Sequence, residues 1–209
     1  FGGDAGLTSQ LAAHGLTQLD VTRSIKANYL AGQSLEAMVD DAAVKAEYDR
    51  RRAADAGAFV TASVRHILVA TTDADTGEAL RTDAEALARA NEVRQKLVAG
   101  GDFAELAKQY SDDAGSQESG GLYANAELEQ FVEPFKLAAA ELPLNTISEP
   151  VKTSYGYHVM KVESRTLKTA DVVKDRLKQK LIGQTYQQYL EQDVPKLIES
   201  LKLPAAGGS

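Results

Sequence analysis

The chain has 209 residues, of which 44% are hydrophobic and 25% are charged, a balance typical of a globular protein with one or two modest cores. Its formal net charge of −7 argues against a nucleic-acid partner, because such a partner needs a basic face. The chain has no cysteine, which excludes disulfides, thiolate zinc sites and a cysteine nucleophile. Its start lacks methionine and a signal-peptide pattern, so we expect a processed or trimmed product.

The first segment, from about residue 7 to 56, has a helical pattern. Val21, Ile25 and Tyr29 recur at four-residue steps, with many alanines between them. The pair His14–Gly15 is typical of a helix end, with the glycine in the left-handed position. These helices are marginal alone and must pack on a partner.

The central segment changes to a mixed pattern of short apolar runs and one-sided helices, which predicts an antiparallel sheet with helices around it, an α+β fold. The glycine pair at 100–101 ends one helix, and a proline near the first turn favours the start of another. The predicted elements are a strand at 62–70, helices at 84–99 and 102–110, a strand at 121–124, a helix at 132–142 and strands at 146–153 and 157–164.

From Thr169 the helical period returns, with Val173, Leu177 and Leu181 at four-residue steps. The stretch 193–195, Asp-Val-Pro, predicts a cap and the restart of a last helix. We expect the final residues, "PAAGGS", to be frayed.

Two of the three histidines lie inside predicted strands, in "VRHILV" and "YHVMKV". Side chains alternate along a strand, so His66 shares a face with Val64 and Leu68, and His158 shares one with Met160. If the two strands are neighbours, the rings can meet. From the residues alone, two satisfied core histidines without a catalytic role are the more frequent outcome.

Five pieces of the central segment, over about residues 61–164, resemble the parvulin family of peptidyl-prolyl cis/trans isomerases: "RHILV", "FAELAKQYSDD", "GGLY", "FVEPFKLAAAEL" and "ISEPVKTSYGYHVMKV". The combination is specific, although no single piece would be. The resemblance implies a parvulin-like, four-stranded antiparallel sheet surrounded by helices at 61–165. The flanking helices resemble the PrsA and SurA class of bacterial extracytoplasmic foldases, which implies one all-α chaperone lobe formed from 1–60 and 166–209.

The resemblance also implies a set of functional positions. For two phenylalanines of that set the alternative is plain core packing, and for its aspartate a loop or helix-cap carboxylate. One departure concerns "GGLYANAELEQF", which is shorter than the family pattern and lacks its usual acidic residue and leucine-glycine-aromatic sequence. The implied catalytic residues are His66, His158, Asp113, Thr153 and Tyr155, and the implied substrate-binding residues are Leu122, Phe131 (usually methionine in the family), Phe135 and Met160.

The resemblance implies a peptidyl-prolyl isomerase and folding chaperone for exported proteins, without a covalent step or a cofactor. The loop "ATTDADTGEALR" has one basic residue against three acidic ones, so we expect no preference for phosphorylated substrates. The expected partners are unfolded or partly folded proline-containing polypeptides, outside the cytoplasm. A homodimer and a membrane anchor outside this chain stay open.

Two other interpretations remain. The chain could be a holdase or peptide-binding chaperone whose parvulin domain is weak or inactive. A metal site built from His66, His158 and Asp113 is a less favoured alternative, because the resemblance already accounts for the histidines. Turnover of a proline peptide and a metal titration distinguish these interpretations from the first.

Overall fold

The computed structural model describes residues 8, 11–13, 15, 17–73 and 75–196, without the side chains of residues 24, 25, 27, 28 and 31. The chain divides into two compact units. The first unit comprises residues 48–173, and the second comprises the described parts of 1–47 and 174–209. The predictions for His14, for the Ile25 side chain and for the end of the chain from residue 197 lie outside the described residues.

The first unit is built on a four-stranded antiparallel sheet, which confirms the predicted α+β fold. The long strands β1 and β4 are central and mostly buried, because helices cover both faces of the sheet. The strands are β1 (Val60–Ala70), β2 (Leu122–Glu127), β3 (Val151–Thr153) and β4 (Gly156–Leu167), in the spatial order β2-β1-β4-β3.

The described helices match the predicted ones closely within the first unit, with ends shifted by one or two residues. Short 3₁₀ turns at 117–119 and 128–130 flank β2. The helices are α1 (Gln18–Met38), α2 (Asp41–Ala54), α3 (Asp83–Val98), α4 (Phe103–Tyr110), α5 (Glu133–Glu141) and α6 (Ala170–Gln188).

The two faces of the sheet carry separate apolar cores. Helices α3 and α4 cover one face, and α5 covers the other. The predicted histidine positions lie on the α5 face, because His66 and His158 alternate with residues of the first core. The first core includes Ile67, Val69, Val93, Phe103 and Val159, and the second includes Val64, Leu128, Phe135, Met160 and Val162.

The strand predicted at 146–153 is shorter than expected, since only Val151–Thr153 forms a ladder with β4. Pro150 has no N–H to contribute to a ladder, which stops the strand there. Upstream, Ser148 fastens the segment differently. Its N–H donates to the Met160 carbonyl at 2.9 Å, and its hydroxyl accepts from the Met160 N–H at 2.9 Å.

The first unit extends beyond the predicted domain bounds of 61–165. Tyr48 in α2 stacks on Phe59 with ring centroids 4.8 Å apart, and the Arg51 guanidinium lies 4.6 Å from the same ring's centroid. The Tyr48 hydroxyl donates to the Lys168 carbonyl at 2.9 Å, and the Lys168 N–H donates to the Phe59 carbonyl at 2.8 Å. The end of α2 and the chain after β4 are therefore tied to the start of β1.

In its described part, the second unit includes α1, the first half of α2 and most of α6. Thr17 caps α1 reciprocally with Asp20: the Thr17 hydroxyl accepts from the Asp20 N–H at 3.2 Å, and the Asp20 carboxylate accepts from the Thr17 N–H at 2.9 Å. An ion pair of 2.8 Å joins Lys174 of α6 to Asp41 of α2. The buried apolar side chains of this unit include Leu35, Val39, Val44 and Leu177.

The predicted helix break at 193–195 is wrong for the described residues. Beyond α6 the backbone passes through a π-helical turn, Tyr189–Asp193, and stays helical at 194–196. The wider turn bonds the Val194 N–H to the Tyr189 carbonyl, and Pro195, which has no N–H to place, follows it without a break. Within the part of the chain that the structure describes, no helix is both long enough and apolar enough to cross a membrane.

Candidate functional site

His66 and His158 meet across the two central strands. The register pairs His66 with Met160 and Leu68 with His158, so the two histidines are diagonal neighbours on the α5 face. Their Nδ1 atoms lie 3.1 Å apart, and their ring centroids lie 5.3 Å apart at an interplanar angle of 26°. They are only 2% and 5% exposed. The rings thus form one buried, hydrogen-bonded pair.

Each end of the histidine pair has its own partner. His66 Nε2 lies 2.9 Å from a carboxylate oxygen of Asp113, which follows α4. His158 Nε2 lies 2.9 Å from the hydroxyl of Thr153 at the end of β3. The Thr153 hydroxyl also accepts the Tyr155 N–H at 3.1 Å. A continuous chain of hydrogen bonds therefore crosses the sheet.

The direction of this chain follows from what each atom can do. An ionised carboxylate only accepts, so Nε2 of His66 must donate to Asp113. Nδ1 of a neutral His66 then accepts from Nδ1–H of His158, which leaves the His158 Nε2 to accept the Thr153 hydroxyl proton. This arrangement satisfies every ring nitrogen with both imidazoles neutral.

The electrostatics agree with that arrangement. Burial and, to a lesser extent, the neighbouring His66 together lower the pKa of His158 to about 3, against an opposing effect of Asp113. The hydrogen bond from His66 lowers the pKa of Asp113 far below its usual range, and bonds from Ser116 and Tyr123 add to this effect while burial opposes it. The site therefore holds a carboxylate beside a neutral His158.

Ser116 and Tyr123 were not predicted from the sequence. The Tyr123 hydroxyl donates to Oδ2 of Asp113 at 2.9 Å, and the Ser116 hydroxyl donates to the same oxygen. The buried Ser116 oxygen also lies 3.0 Å from His66 Nε2. Burial and the bond to Asp113 together raise the pKa of Tyr123 to about 12, so the phenol stays a donor.

The loop that carries Asp113 is fastened to β1 by backbone bonds. The Asp112 N–H donates to the Leu68 carbonyl at 2.8 Å, and the His66 N–H donates to the Gly121 carbonyl at 2.8 Å. The Ser111 hydroxyl accepts the Leu68 N–H at 3.2 Å. Both ends of the loop are thus fixed beside His66, which sets the position of Asp113.

An open cavity of about 550 Å³ lies against the histidine pair. Phe131 and Phe135 form its apolar wall, with stacked rings whose centroids are 4.7 Å apart. The edge of Phe135 meets both histidines, at 5.4 Å from His66 and 5.3 Å from His158 between ring centroids. Tyr123 lines the same cavity beside Phe131, at a centroid distance of 5.4 Å.

The implied site residues are brought together only in part. His66, His158, Asp113, Phe131, Phe135 and the half-exposed Tyr155 line the cavity. Thr153 touches His158 from behind, and Met160 is fully buried in the core next to Phe135, so neither lines it. Leu122 requires a correction: it pairs with Arg65, on the face away from His66, and Tyr123 takes the expected place in the cavity.

The charged side chains that line the cavity among the described residues are all acidic. Arg81, a neighbouring cation, is occupied by an ion pair with Asp112 and by the Ala70 carbonyl. Asp73 and Asp75 lie in the loop after β1, at the cavity rim. The mouth of the cavity therefore carries negative charge.

The metal alternative has no geometric support in the described part of the chain, where no three histidine, aspartate or glutamate side chains are grouped to hold an ion. The two Nδ1 atoms of the pair face each other, while one Nε2 faces a carboxylate and the other faces a hydroxyl. All three distances are those of hydrogen bonds. A metal would have to displace these bonds.

This combination of sheet, helices and histidine-lined cavity is that of a parvulin-type isomerase domain. The family described as "PPIC-type PPIASE domain" matches residues 50–166, more than half of the chain. The chain therefore belongs to the PPIC-type peptidyl-prolyl isomerase family.

Named relatives are foldases and chaperones. The chain is 33% identical over 174 residues to foldase protein PrsA of Caldanaerobacter subterraneus, covering 83% of this chain and 51% of that protein. It is 46% identical over 99 residues to foldase protein PrsA 3 of Bacillus anthracis (47% of this chain, 35% of the relative) and 36% identical over 138 residues to chaperone SurA of Saccharophagus degradans (66% and 30%). The chain thus spans about a third to a half of these relatives' length.

A solved structure agrees with the fold. The crystal structure of the peptidylprolyl isomerase PrsA from Bacillus cereus matches with a TM-score of 0.58 at 28% identity. The match covers 98% of this chain and 71% of that one. The likeness includes the segments on both sides of the isomerase domain.

Proposed function

We propose that the chain catalyses cis/trans isomerisation of peptidyl-prolyl bonds and assists the folding of exported proteins. The observation that carries this proposal is the cavity with an aromatic wall that opens onto a buried histidine pair within a PPIC-type domain. Its substrates are unfolded or partly folded polypeptides that contain proline. The reaction proceeds without a cofactor or a metal.

The chemistry requires no covalent step. Rotation about the X-Pro bond must break amide resonance, at a cost of roughly 20 kcal/mol. The planar amide is more polar than the twisted transition state, so an apolar pocket that grips the proline ring disfavours the ground state. Each ~1.4 kcal/mol of that difference accelerates the reaction tenfold. Phe131, Phe135 and Tyr123 supply the pocket.

The histidine pair acts as a fixed polar wall beside this pocket. Its chain of hydrogen bonds holds both rings in place, and no proton needs to move because the reaction transfers none. Twisting frees the lone pair of the prolyl nitrogen, which can then accept a hydrogen bond that the planar amide cannot. The Tyr155 hydroxyl, half-exposed at the cavity, is a donor of the required kind.

An exchange assay by NMR with a short proline peptide tests the catalytic proposal. The informative variant is Phe135→Leu. It keeps an apolar side chain in the core beneath α5 but removes the aromatic edge that contacts both histidines. We expect kcat/KM to fall about tenfold or more, corresponding to at least ~1.4 kcal/mol. Leu137→Ala, in the same helix but 38% exposed, is the matched control and should keep wild-type turnover. A wild type without turnover at micromolar concentration contradicts the proposal.

The acidic rim supports the proposal that the site does not favour phosphorylated substrates. A phosphate dianion before the proline would meet Asp73 and Asp75 where it needs an arginine cluster. Peptides with serine, glutamate or phosphoserine before proline separate the cases, and we expect phosphoserine to be the slowest. Turnover of the phosphopeptide tenfold faster than that of its serine counterpart would overturn this part.

The second candidate function is a holdase with a weak or inactive isomerase domain. Four large apolar side chains on α1 favour client binding by the helical unit, since they are all more than half exposed: Leu19, Tyr29, Leu30 and Met38. The relatives named foldase and chaperone support the same role, which we propose is performed outside the cytoplasm. The homodimer and the external membrane anchor remain predictions.

A further inference from the structure

Tyr123 has two separate contacts with the proposed catalytic site. Its ring stacks on His66, with centroids 5.0 Å apart and planes at 19°, and touches Phe131 in the cavity wall. Its hydroxyl reaches past His66 to Oδ2 of Asp113 at 2.9 Å. The same residue therefore forms a surface of the pocket and bonds the group that orients His66.

Three donors converge on one oxygen of Asp113. His66 Nε2–H, the Ser116 hydroxyl and the Tyr123 hydroxyl all bond Oδ2, while Oδ1 accepts the Gly115 N–H at 3.3 Å. The two hydroxyls approach from the loop and from β2, so they fix the carboxylate from two elements. Without them, Asp113 could rotate about its side-chain torsions and lose alignment with His66.

We propose that Tyr123 is a positioning residue, whose hydroxyl fixes Asp113 and thereby the tautomer of the histidine pair, and whose ring sets the affinity for the substrate proline. This inference rests on the proposed isomerase function and gives Tyr123, already a pocket residue there, a second role in orienting the histidine pair. The two roles belong to different atoms of one side chain, so substitutions can separate them.

Removing the hydroxyl affects orientation and not the pocket surface. In Tyr123→Phe the ring still covers His66 and lines the cavity, so the substrate is bound as before. Asp113 loses one of its charge-assisted bonds, and the alternative arrangement with His66 protonated at Nδ1 becomes populated. That arrangement makes the Nδ1–H of His66 donate to His158 and reverses the bond to Thr153, which changes the polar wall beside the substrate.

Two substitutions at this position and a distant control form the test. In Tyr123→Phe we expect kcat to fall about tenfold, or ~1.4 kcal/mol, with KM within about twofold of wild type. In Tyr123→Leu the same loss of kcat is joined by a several-fold rise in KM. Tyr157→Phe removes a hydroxyl that bonds Asp83 at 3.0 Å on the other face of the sheet, and it should change neither constant.

The imidazole ¹⁵N spectrum gives a readout that a merely structural role would leave unchanged. At pH 7 the wild type and Tyr157→Phe should show His66 protonated at Nε2, whereas Tyr123→Phe should show a mixture of tautomers. Thermal unfolding of each variant confirms that it is folded at the assay temperature. Wild-type kcat and an unchanged spectrum in Tyr123→Phe would overturn the inference, and so would a change in KM alone.

The two proposals fail in different ways. If the wild type shows no turnover, the isomerase function is wrong, and the spectrum of Tyr123→Phe still decides whether the hydroxyl positions the pair. If the wild type turns over and Tyr123→Phe is indistinguishable from it, only the role of Tyr123 is wrong.

Discussion

At the scale of single residues, the burial of His158 makes folding depend on pH. Its pKa is lowered from 6.5 to about 3, first by burial and then by His66. Between these values the unfolded chain binds more protons than the folded protein, so the free energy of unfolding rises with pH. The contribution of this group is fully present above pH 6.5 and is lost progressively as the pH falls towards 3.

We predict that His158→Gln reduces this pH dependence. Glutamine keeps a polar group near Thr153 but cannot titrate. From pH 6.5 down to about 4.5 the wild type should lose roughly 2 to 3 kcal/mol through His158, and the variant should lose less by about that amount. Denaturant unfolding across this range measures the difference. The range stops above the usual pKa of aspartate, 3.8, so Asp113 contributes little. Parallel curves for the two proteins would show that His158 does not carry the effect.

The sequence predicts the histidine pair but not the residues that hold it. Alternation along two strands is a local signal, and it places His66 and His158 on one face correctly. Ser116 and Tyr123 act through hydrogen bonds from a loop and a neighbouring strand, for which no local pattern exists. The only sequence signal for these two residues is that they follow Asp113 closely along the chain.

The misplacement of Leu122 has a physical cause in a β-bulge. At the far end of the β1–β2 pair, Ala62 faces Ala126, and continuing that register would place Leu122 opposite His66. The register slips by one residue between Ala62 and Val64, where Asn125 adopts a positive φ of 48°. A one-residue slip exchanges the two faces of a strand. Tyr123 consequently faces the cavity instead.

At the scale of elements, the turn from the Asp113 loop into β2 depends on Gly121. Its φ is 75°, and an added Cβ would lie 2.3 Å from the His66 carbonyl oxygen. Gly77 offers a matched comparison, because its φ is 73° and nothing lies within 4 Å of the added atom. An added side chain would strain the backbone equally at the two positions. At Gly121 it would also collide with β1.

We predict that Gly121→Ala is much more harmful than Gly77→Ala. The second substitution should cost about 1 kcal/mol of unfolding free energy, the ordinary cost of a left-handed alanine. The first should cost at least twice as much and should lower kcat/KM, because β2 must move away from His66. Chemical denaturation and the peptide exchange assay measure the two effects. Equal costs for the two variants would contradict the close approach of Gly121 to β1.

The predicted elements were most accurate where periodicity is long. The strands β1 and β4 and helices α3 to α5 are present within a few residues of their predicted bounds. Errors concentrate at prolines: Pro150 ends a strand early, and Pro195 does not break the helix expected to end there. A proline removes one N–H, but the surrounding backbone decides whether that group was needed. The outcome therefore depends on packing that the sequence does not display.

At the scale of the whole molecule, the isomerase unit is larger than its sequence motifs. The motifs begin near residue 61, but the unit starts at Tyr48, because Tyr48 and Arg51 pack on Phe59 just before β1. Helices α2 and α6 each contribute residues to both units. A cut placed inside either helix would damage both.

The last prediction is that client holding and isomerisation are separable. The second unit combines segments from both sides of the first unit, and its helices depend on packing for most of their stability. We therefore expect a chain in which residues 56–168 are replaced by a short Gly/Ser linker, leaving α2 and α6 whole, to remain helical and to melt cooperatively.

That linked chain should suppress aggregation of an unfolded model client while lacking all turnover of a proline peptide. Full-length Phe135→Leu is the matched control, since it should protect the client as well as wild type despite its slower turnover. Circular dichroism, light scattering and the exchange assay measure the three properties. An unfolded linked chain would contradict the prediction that the second unit folds without the first. A folded linked chain that gives no protection would contradict the placement of client holding in the second unit. Protection that falls together with turnover in Phe135→Leu would show instead that client holding itself depends on the proline cavity.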